Sequence, residues 1–224
     1  LAAGWCELEA RDTDGDTAFL IVCGEGDTEC MQLLVEAGCD TAAVNNKGED
    51  ALMRAALSGV GAAVRTVLAA GWCELETRDT DGDTAFLIAC AIGDTECMEL
   101  LVEAGCDTAA VNTQGENALM RASFSGVCAA VRTVLAAGWC ELEARDTDGD
   151  TALAFAVDCP NSACVCACCE CGSQARKCME LLVEAGCDTA AGNNDGDNAL
   201  MRASLSGNAA VVRTVLAAGW CELE

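Results

Sequence analysis

Residues 70–76 read Ala-Gly-Trp-Cys-Glu-Leu-Glu, and the same seven residues recur ending at Glu9, Glu143 and Glu224. The steps from Glu9 to Glu76 and from Glu76 to Glu143 are 67 residues each, and the last step is 81, longer by 14. A fixed period means one structural unit stacked on copies of itself, with the core running through the stack. Such an array offers surface rather than clefts, which points to binding before catalysis.

Working outward, the 67-residue unit divides into 34 and 33. The odd halves are 11–44, 78–111 and 145–192, and the even halves are 45–77, 112–144 and 193–224. Residues 1–10 read as the end of a preceding repeat, and the chain as part of a longer array. Both halves share one skeleton. A turn with Gly15 or Gly48 leads to a short apolar helix. Gly26 or Gly59 leads to a longer one, which Gly38 or Gly71 ends. Glycine at such points suits turns and helix C-termini that need positive φ. In the first repeat the pattern predicts helices over 17–23 and 28–36.

This skeleton resembles the ankyrin repeat, whose pattern is roughly D-x-x-G-x-T-P-L-H-x-A-A, a turn, a second apolar helix and G-A-D-V-N. Asp12, Gly15, Thr17, Phe19, Gly26, Leu33, Leu34, Gly38 and Asp40 fall on it in register. So do Asn45, Gly48, Leu52, Ala55, Ala56, Gly59, Val64, Val67, Leu68 and Gly71. The resemblance covers almost the whole chain outside the insertion. It implies an all-α solenoid of stacked helix-turn-helix units with finger turns. Ala18 and Ala51 stand at the family's Pro, and Leu20 and Met53 at its His. Asp50, Asn117 and Asn198 replace Thr before the first helix of the even repeats and remain good N-caps. Without Pro at the first helical position the array loses pre-organisation, so it is expected to be less stable than a consensus one.

Composition narrows the function. There are 37 acidic and 12 basic residues, for a net charge of −25. Nucleic acids and anionic membranes need basic surface, so the balance argues against both and favours a basic protein or peptide. No apolar run approaches the roughly 18 residues needed to span a bilayer. Histidine and tyrosine are absent, no Gly-rich phosphate loop follows a strand, and the carboxylates fall on turns, so the reading is non-catalytic with no cofactor. Of 19 cysteines, 13 lie in the regular repeats, and all of these but Cys128 recur at a fixed position of the unit. Copied small thiols suit packing in a reducing compartment, cytoplasmic or nuclear, better than a disulfide framework.

Four features carry the site reading. The run Asp-Thr-Asp-Gly-Asp at 12–16, 79–83 and 146–150 lacks calcium-loop spacing, since its Gly follows the second Asp. It fits the finger turn, where Asp and Gly supply turn chemistry. Trp5, Trp72, Trp139 and Trp220 either form an aromatic ladder for a partner or cover the neighbouring loops. The resemblance places the finger turns and first helices on a concave binding face. At one variable position there the chain reads Ile21, Arg54, Ile88, Arg121, Phe155 and Arg202, rimmed by Asp14, Asp81 and Asp148. Each arginine either faces this groove or pairs with a neighbouring finger carboxylate. Arg65, Arg132 and Arg213, on the second helices, are assigned to the opposite, convex side.

The fourth feature is the insertion, near 158–177 and expected to bulge between the two helices of the fifth repeat. Its Cys164, Cys166, Cys168, Cys169 and Cys171 are locally similar to metallothioneins. Close thiolates suit soft ions such as zinc or copper(I). The other reading is an inert loop. A recognition module is therefore the leading expectation. Soft-metal binding, or a regulatory arm of an enzyme whose catalytic domain lies elsewhere, are the alternatives.

Overall fold

The computed structural model describes residues 7–159, 171–207 and 209–217. These residues form helices joined by turns, without a strand among them. They fall into two compact units. The first, Leu1–Ala89 with Glu96–Asp107, holds α1 (Ala18–Glu25), α2 (Thr28–Glu36), α3 (Ala51–Ser58), α4 (Gly61–Ala70), most of α5 (Ala85–Ile92) and α6 (Thr95–Glu103). The second, Cys90–Thr95 with Thr108–Glu224, holds α7 (Ala118–Ser125), α8 (Cys128–Ala137), α9 (Ala152–Asp158), α10 (Cys171–Glu184), α11 (Ala199–Leu205) and α12 (Ala209–Ala217). Consecutive helices pair, as α1 with α2 and α7 with α8. First helices also stack on first helices, α1 on α3 and α7 on α9, and second on second, α2 on α4 and α8 on α10. This is an all-α solenoid of helix-turn-helix repeats.

The helix starts are written locally. Thr17 Oγ1 accepts from Leu20 N at 3.3 Å, Asp50 Oδ1 from Met53 N at 2.9 Å and Asn117 Oδ1 from Met120 N at 3.0 Å, each satisfying a donor the helix leaves open. The stop is equally local. Gly59, at φ 64°, turns the chain left-handed after α3, a conformation that a Cβ resists. The expected 17–23 and 28–36 are observed as Ala18–Glu25 and Thr28–Glu36.

The first helices are short and nearly surrounded. Ala51, Leu52, Met53, Ala55 and Ala56 of α3 are all buried, so alanine lets the helices approach closely while leucine and methionine fill the space between. Full burial of each such large side chain contributes about 1.5–3 kcal/mol. Among the described residues no helix is long and apolar enough to cross a membrane.

The fifth repeat corrects one expectation. Regular structure resumes at Cys171, not near Cys178: α10 runs 14 residues where α2 has 9. Gln174, Ala175, Arg176 and Lys177 are good helix formers and nothing after Gly172 stops them, so the helix extends towards its N-terminus. Asp158, expected to open the insertion, is instead the last residue of α9, at the position Gly24 holds in α1. Residues 160–170, where the bulge was expected, lie outside the described residues.

Candidate partner-binding face

Each finger is held by its first polar residue. Asp12 Oδ1 accepts from both Asp14 N and Asp16 N at 2.9 Å, and Asp79 and Asp146 repeat the arrangement. In the even repeats Asn45 Oδ1 does the same for Lys47 N and Glu49 N, at 3.0 and 2.9 Å. The aspartates are thus absorbed in turn geometry. Asp14, Asp81 and Asp148 sit exposed at the tips. The Asp14 and Asp148 carbonyls accept from Asn46 N and Asn194 N of the following fingers, at 3.0 and 2.9 Å.

Asparagine also has two amide hydrogens, and here they tie fingers together. Asn45 Nδ2 donates to Asp16 Oδ1 at 2.9 Å and to Glu49 Oε2 at 2.7 Å, all three residues being buried. Arg54 closes the cluster from α3, with Nη2 3.4 Å from Asp16 Oδ2 and Nη1 3.3 Å from Glu49 Oε2. Gly24 makes room for it: a Cβ there would stand 2.8 Å from Arg54 Nη2. In the second unit Arg121 pairs with Glu116 at 2.9 Å. Arg202 pairs with Asp150 at 2.7 Å and also with Asp158, the residue in Gly24's place. Burial pushes the Asp150 carboxyl up, and the Arg202 charge opposes it.

The structure therefore places Arg54, Arg121 and Arg202 in ion pairs, each about a quarter exposed. The alternating apolar positions are not equivalent. Ile21 is 40% exposed, Phe155 half-buried, and Ile88 only 5% exposed. Ile88 is thus withdrawn from the surface on which it was expected, as are the residues of α5 around it. Phe155 instead meets Phe124 edge to face, centroids 6.5 Å apart, and Phe124 is itself exposed. Sequence reasoning passed over Phe124. Its signal was a large aromatic where α3 has Leu57 and α11 has Leu205. Also passed over were Arg11 and Arg145, which donate from Nη1 to the Gly15 and Gly149 carbonyls at 2.9 and 2.7 Å. Each also reaches the next finger, at the Val44 or Gly192 carbonyl.

Of the tryptophans, half-buried Trp72 lies edge-on to Phe19 with centroids 5.5 Å apart, covering the first helix of the neighbouring repeat. The repeat-borne thiols are packing groups. Burial pushes Cys23, Cys73, Cys106, Cys178 and Cys187 up to about 12 and Cys140 to about 11, so they stay protonated at neutral pH. Cys164, Cys166, Cys168 and Cys169 lie outside the described residues, and Cys171 begins α10.

Capped helix pairs, left-handed glycine stops and hydrogen-bonded fingers define a helical-repeat recognition scaffold. The family model for ankyrin repeats (three copies) matches residues 1–79 and 66–146, and the chain belongs to the ankyrin-repeat family. Repeats of this family generally mediate protein–protein interaction and are typically non-catalytic. The chain is 33% identical over 127 residues to a Caenorhabditis elegans homolog of transient receptor potential cation channel subfamily A member 1, covering 57% of this chain and 10% of that protein. It is 29% identical over 117 residues to the Arabidopsis thaliana E3 ubiquitin-protein ligase KEG, covering 51% and 7%. It therefore spans a tenth or less of the length of these relatives. Among solved structures, an ankyrin repeat domain from Acinetobacter baumannii aligns with TM-score 0.65 at 24% identity, covering 90% of this chain and 97% of that one. A chain of the complex between a predatory endopeptidase from Bdellovibrio bacteriovorus and an immunity protein aligns with TM-score 0.68 at 21% identity, covering 93% and 99%.

Proposed function

We propose that this array is a non-catalytic protein-interaction module whose partner is a basic, partly apolar protein or peptide segment. The segment lies against the finger turns and first helices. The observation that carries the reading is the exposure of large apolar side chains on first helices beside acidic fingers: Ile21 near Asp14 in sequence, and Phe124 with Phe155 near Asp148. Apolar anchors give affinity, and the acidic rim selects and steers a cation. A scaffold with its turns already hydrogen-bonded loses little entropy on binding. Arg54, Arg121 and Arg202 hold the carboxylates of the turns and offer the partner only their outer edges.

The test uses two fluorescent amphipathic peptides of equal apolar content, one lysine-rich and one glutamate-rich, titrated at low and high salt. The lysine-rich peptide binds, and salt weakens it. Ile21→Asp and Phe155→Ser weaken it further while far-UV circular dichroism is unchanged, and Arg132→Asp on the second helix α8 does not. The reading fails if both peptides bind alike, or if only second-helix variants at Arg65, Arg132 or Arg213 reduce binding.

A further inference from the structure

The first helices of the even repeats are all capped by a side-chain oxygen, but only one of these caps carries a charge. Asp50 Oδ1 accepts from Met53 N at 2.9 Å, and Asn117 and Asn198 do the same for Met120 N and Met201 N, each at 3.0 Å. An amide caps as well, so the charge of Asp50 is surplus to the cap. Asp50 is 6% exposed. Asp16 and Asp150, as deeply buried, pair with Arg54 and Arg202, whereas no cation among the described residues pairs with Asp50. Burial raises its carboxyl, and only backbone N–H groups and Thr77 oppose that. Thr77 has a single hydroxyl proton, which the Glu74 carbonyl shares at 3.0 Å. A buried carboxylate without a cation is costly.

Asp50 opens onto a cleft of about 440 Å³, which lies wholly within the first unit. That is inside the range of about 300–1,000 Å³ typical of ligand sites. The cleft runs between the stems that lead into the second and third fingers. Ala42 and Val44 line it from one stem, and Trp72, Cys73 and Glu74 from the other. The Trp72 ring is held in place by its edge-on contact with Phe19, and Val44 and Glu74 are exposed at the margin. Burial pushes Cys73 up to about 12, so it adds a neutral thiol. No group of three or more ligating side chains among the described residues could hold a metal ion, so the cation that fits here is organic. The cleft shares no residue with the face of Ile21 and Asp14. Val111, Trp139, Cys140 and Glu141 repeat the same walls in sequence, but around Asn117 in place of Asp50 and Ala144 in place of Thr77.

We propose that this cleft takes an arginine side chain of a protein partner, with its guanidinium against Trp72 and Asp50 and its aliphatic stem along Ala42 and Val44. The site is independent of the groove described above. A guanidinium is planar, stacks on an indole and is less strongly hydrated than an ammonium, so it loses less on burial. It also stays charged there, whereas burial pushes a lysine towards its neutral form. Glu74 at the mouth draws the cation in. The bound arginine supplies the counter-charge that Asp50 lacks in the free chain.

Heteronuclear NMR of the reduced 224-residue chain tests this, by titration with a blocked glycine–arginine–glycine peptide and with its lysine and citrulline counterparts. The Trp72 indole N–H and the Thr77 amide shift saturably with the arginine peptide, and the Trp139 indole does not. The lysine peptide binds more weakly, and the neutral citrulline peptide does not bind. Asp50→Asn keeps the cap in the manner of Asn117 and weakens binding about ten-fold or more, the range of a hydrogen bond to a charged group. Glu74→Gln at the rim weakens it about two- to five-fold, and Ile21→Asp leaves it unchanged. The absence of a saturable shift at Trp72 overturns the proposal. So do equal shifts at Trp139, equal binding of the citrulline peptide, or an Asp50→Asn variant that binds as the parent does. A lysine peptide that binds as tightly overturns the assignment to a guanidinium.

Discussion

The array contains two kinds of junction. Where an even repeat follows an odd one, the contact is polar and buried. Asn45 bridges Asp16 and Glu49, Arg54 reaches both carboxylates, and Asn46 bonds the Asp14 and Thr13 carbonyls. The fifth and sixth repeats repeat the scheme with Asn194 on Asp148 and Thr147, and Arg202 on Asp150. Where an odd repeat follows an even one, the described contacts lie nearer the surface: one backbone bond between fingers, a glutamate accepting one backbone N–H (Glu76 from Asp107 N at 2.7 Å, Glu143 from Asp188 N at 2.8 Å), an exposed ion pair at Arg65–Glu96 and apolar packing at Phe124–Phe155. The difference explains why the sequence repeats every two ankyrin units rather than every one. A carboxylate on one finger and its asparagine and arginine on the next need two repeats to be written. It also assigns a task. The polar junction fixes register, because a misplaced buried carboxylate is costly.

The sharpest way to break this comparison is Asn45→Ala. It removes the acceptor that holds Lys47 N and Glu49 N and the donor shared by two buried carboxylates. Leaving buried polar groups unmatched costs 1–3 kcal/mol each, so the expected loss is about 3 kcal/mol, read as a lower urea midpoint. A loss below about 1 kcal/mol would show that the polar junction is not the stronger specifier of register.

Much of this fold was legible in advance, and the reason is physical. Helix starts, glycine stops and finger turns depend on residues within four of each other, such as Thr17 with Leu20 or Asp12 with Asp16, and repetition multiplies the signal. The arginine pairing was left undecided because Arg54 and Asp16 are 38 residues apart, and Arg202 and Asp150 are 52 apart. Only stacking sets those distances. The same applies to Ile88 and Ile21, alike in sequence position but unlike in exposure, because the packing of neighbouring helices decides which is covered. The start of α10 was missed for a different reason. The close-set cysteines mark the insertion, whereas the start of the helix is set by Gln174, Ala175, Arg176 and Lys177, which favour helix and extend it towards its N-terminus.

A smaller effect sharpens the polar side of the comparison. Asp50 caps α3, and burial pushes its carboxyl above the ordinary range, against its bonds from Met53 N and Thr77. The equivalent residues Asn117 and Asn198 cap without charge. A carboxyl whose folded pKa is raised contributes its stability below the unfolded value, and that contribution is lost as pH rises through the folded one. Asp50→Asn keeps the cap and removes the buried charge. It should raise Tm at pH 7, and the gain should shrink as pH falls towards the unfolded carboxyl value, near 3.9. An equal gain at both pH values would show that the charge is not its source.

The smallest expected effect belongs to the apolar junction. Arg65 and Glu96 are each 62% exposed, and their pair spans α4 and α6 at 3.2 Å. Water screens such a pair, and holding two long side chains in register costs entropy, so Arg65→Ala should change stability by no more than about 0.5 kcal/mol. The adjoining residues of this junction support that reading. A Cβ on Gly61 would stand 2.4 Å from Glu96 Cδ, so Glu96 lies against the start of α4 whether or not Arg65 reaches it. Val64 and Val67 are buried on the same helix and carry the packing. The counterpart of Glu96 in the fifth repeat is Lys177, set opposite the counterpart arginine, Arg132, so the sequence itself dispenses with the pair once. Urea unfolding of Arg65→Ala beside Asn45→Ala, in one buffer at two ionic strengths, measures the two junctions on one scale. Near-equal losses would mean that the even-to-odd contact also depends on polar specification, and that the two-repeat period has some other origin.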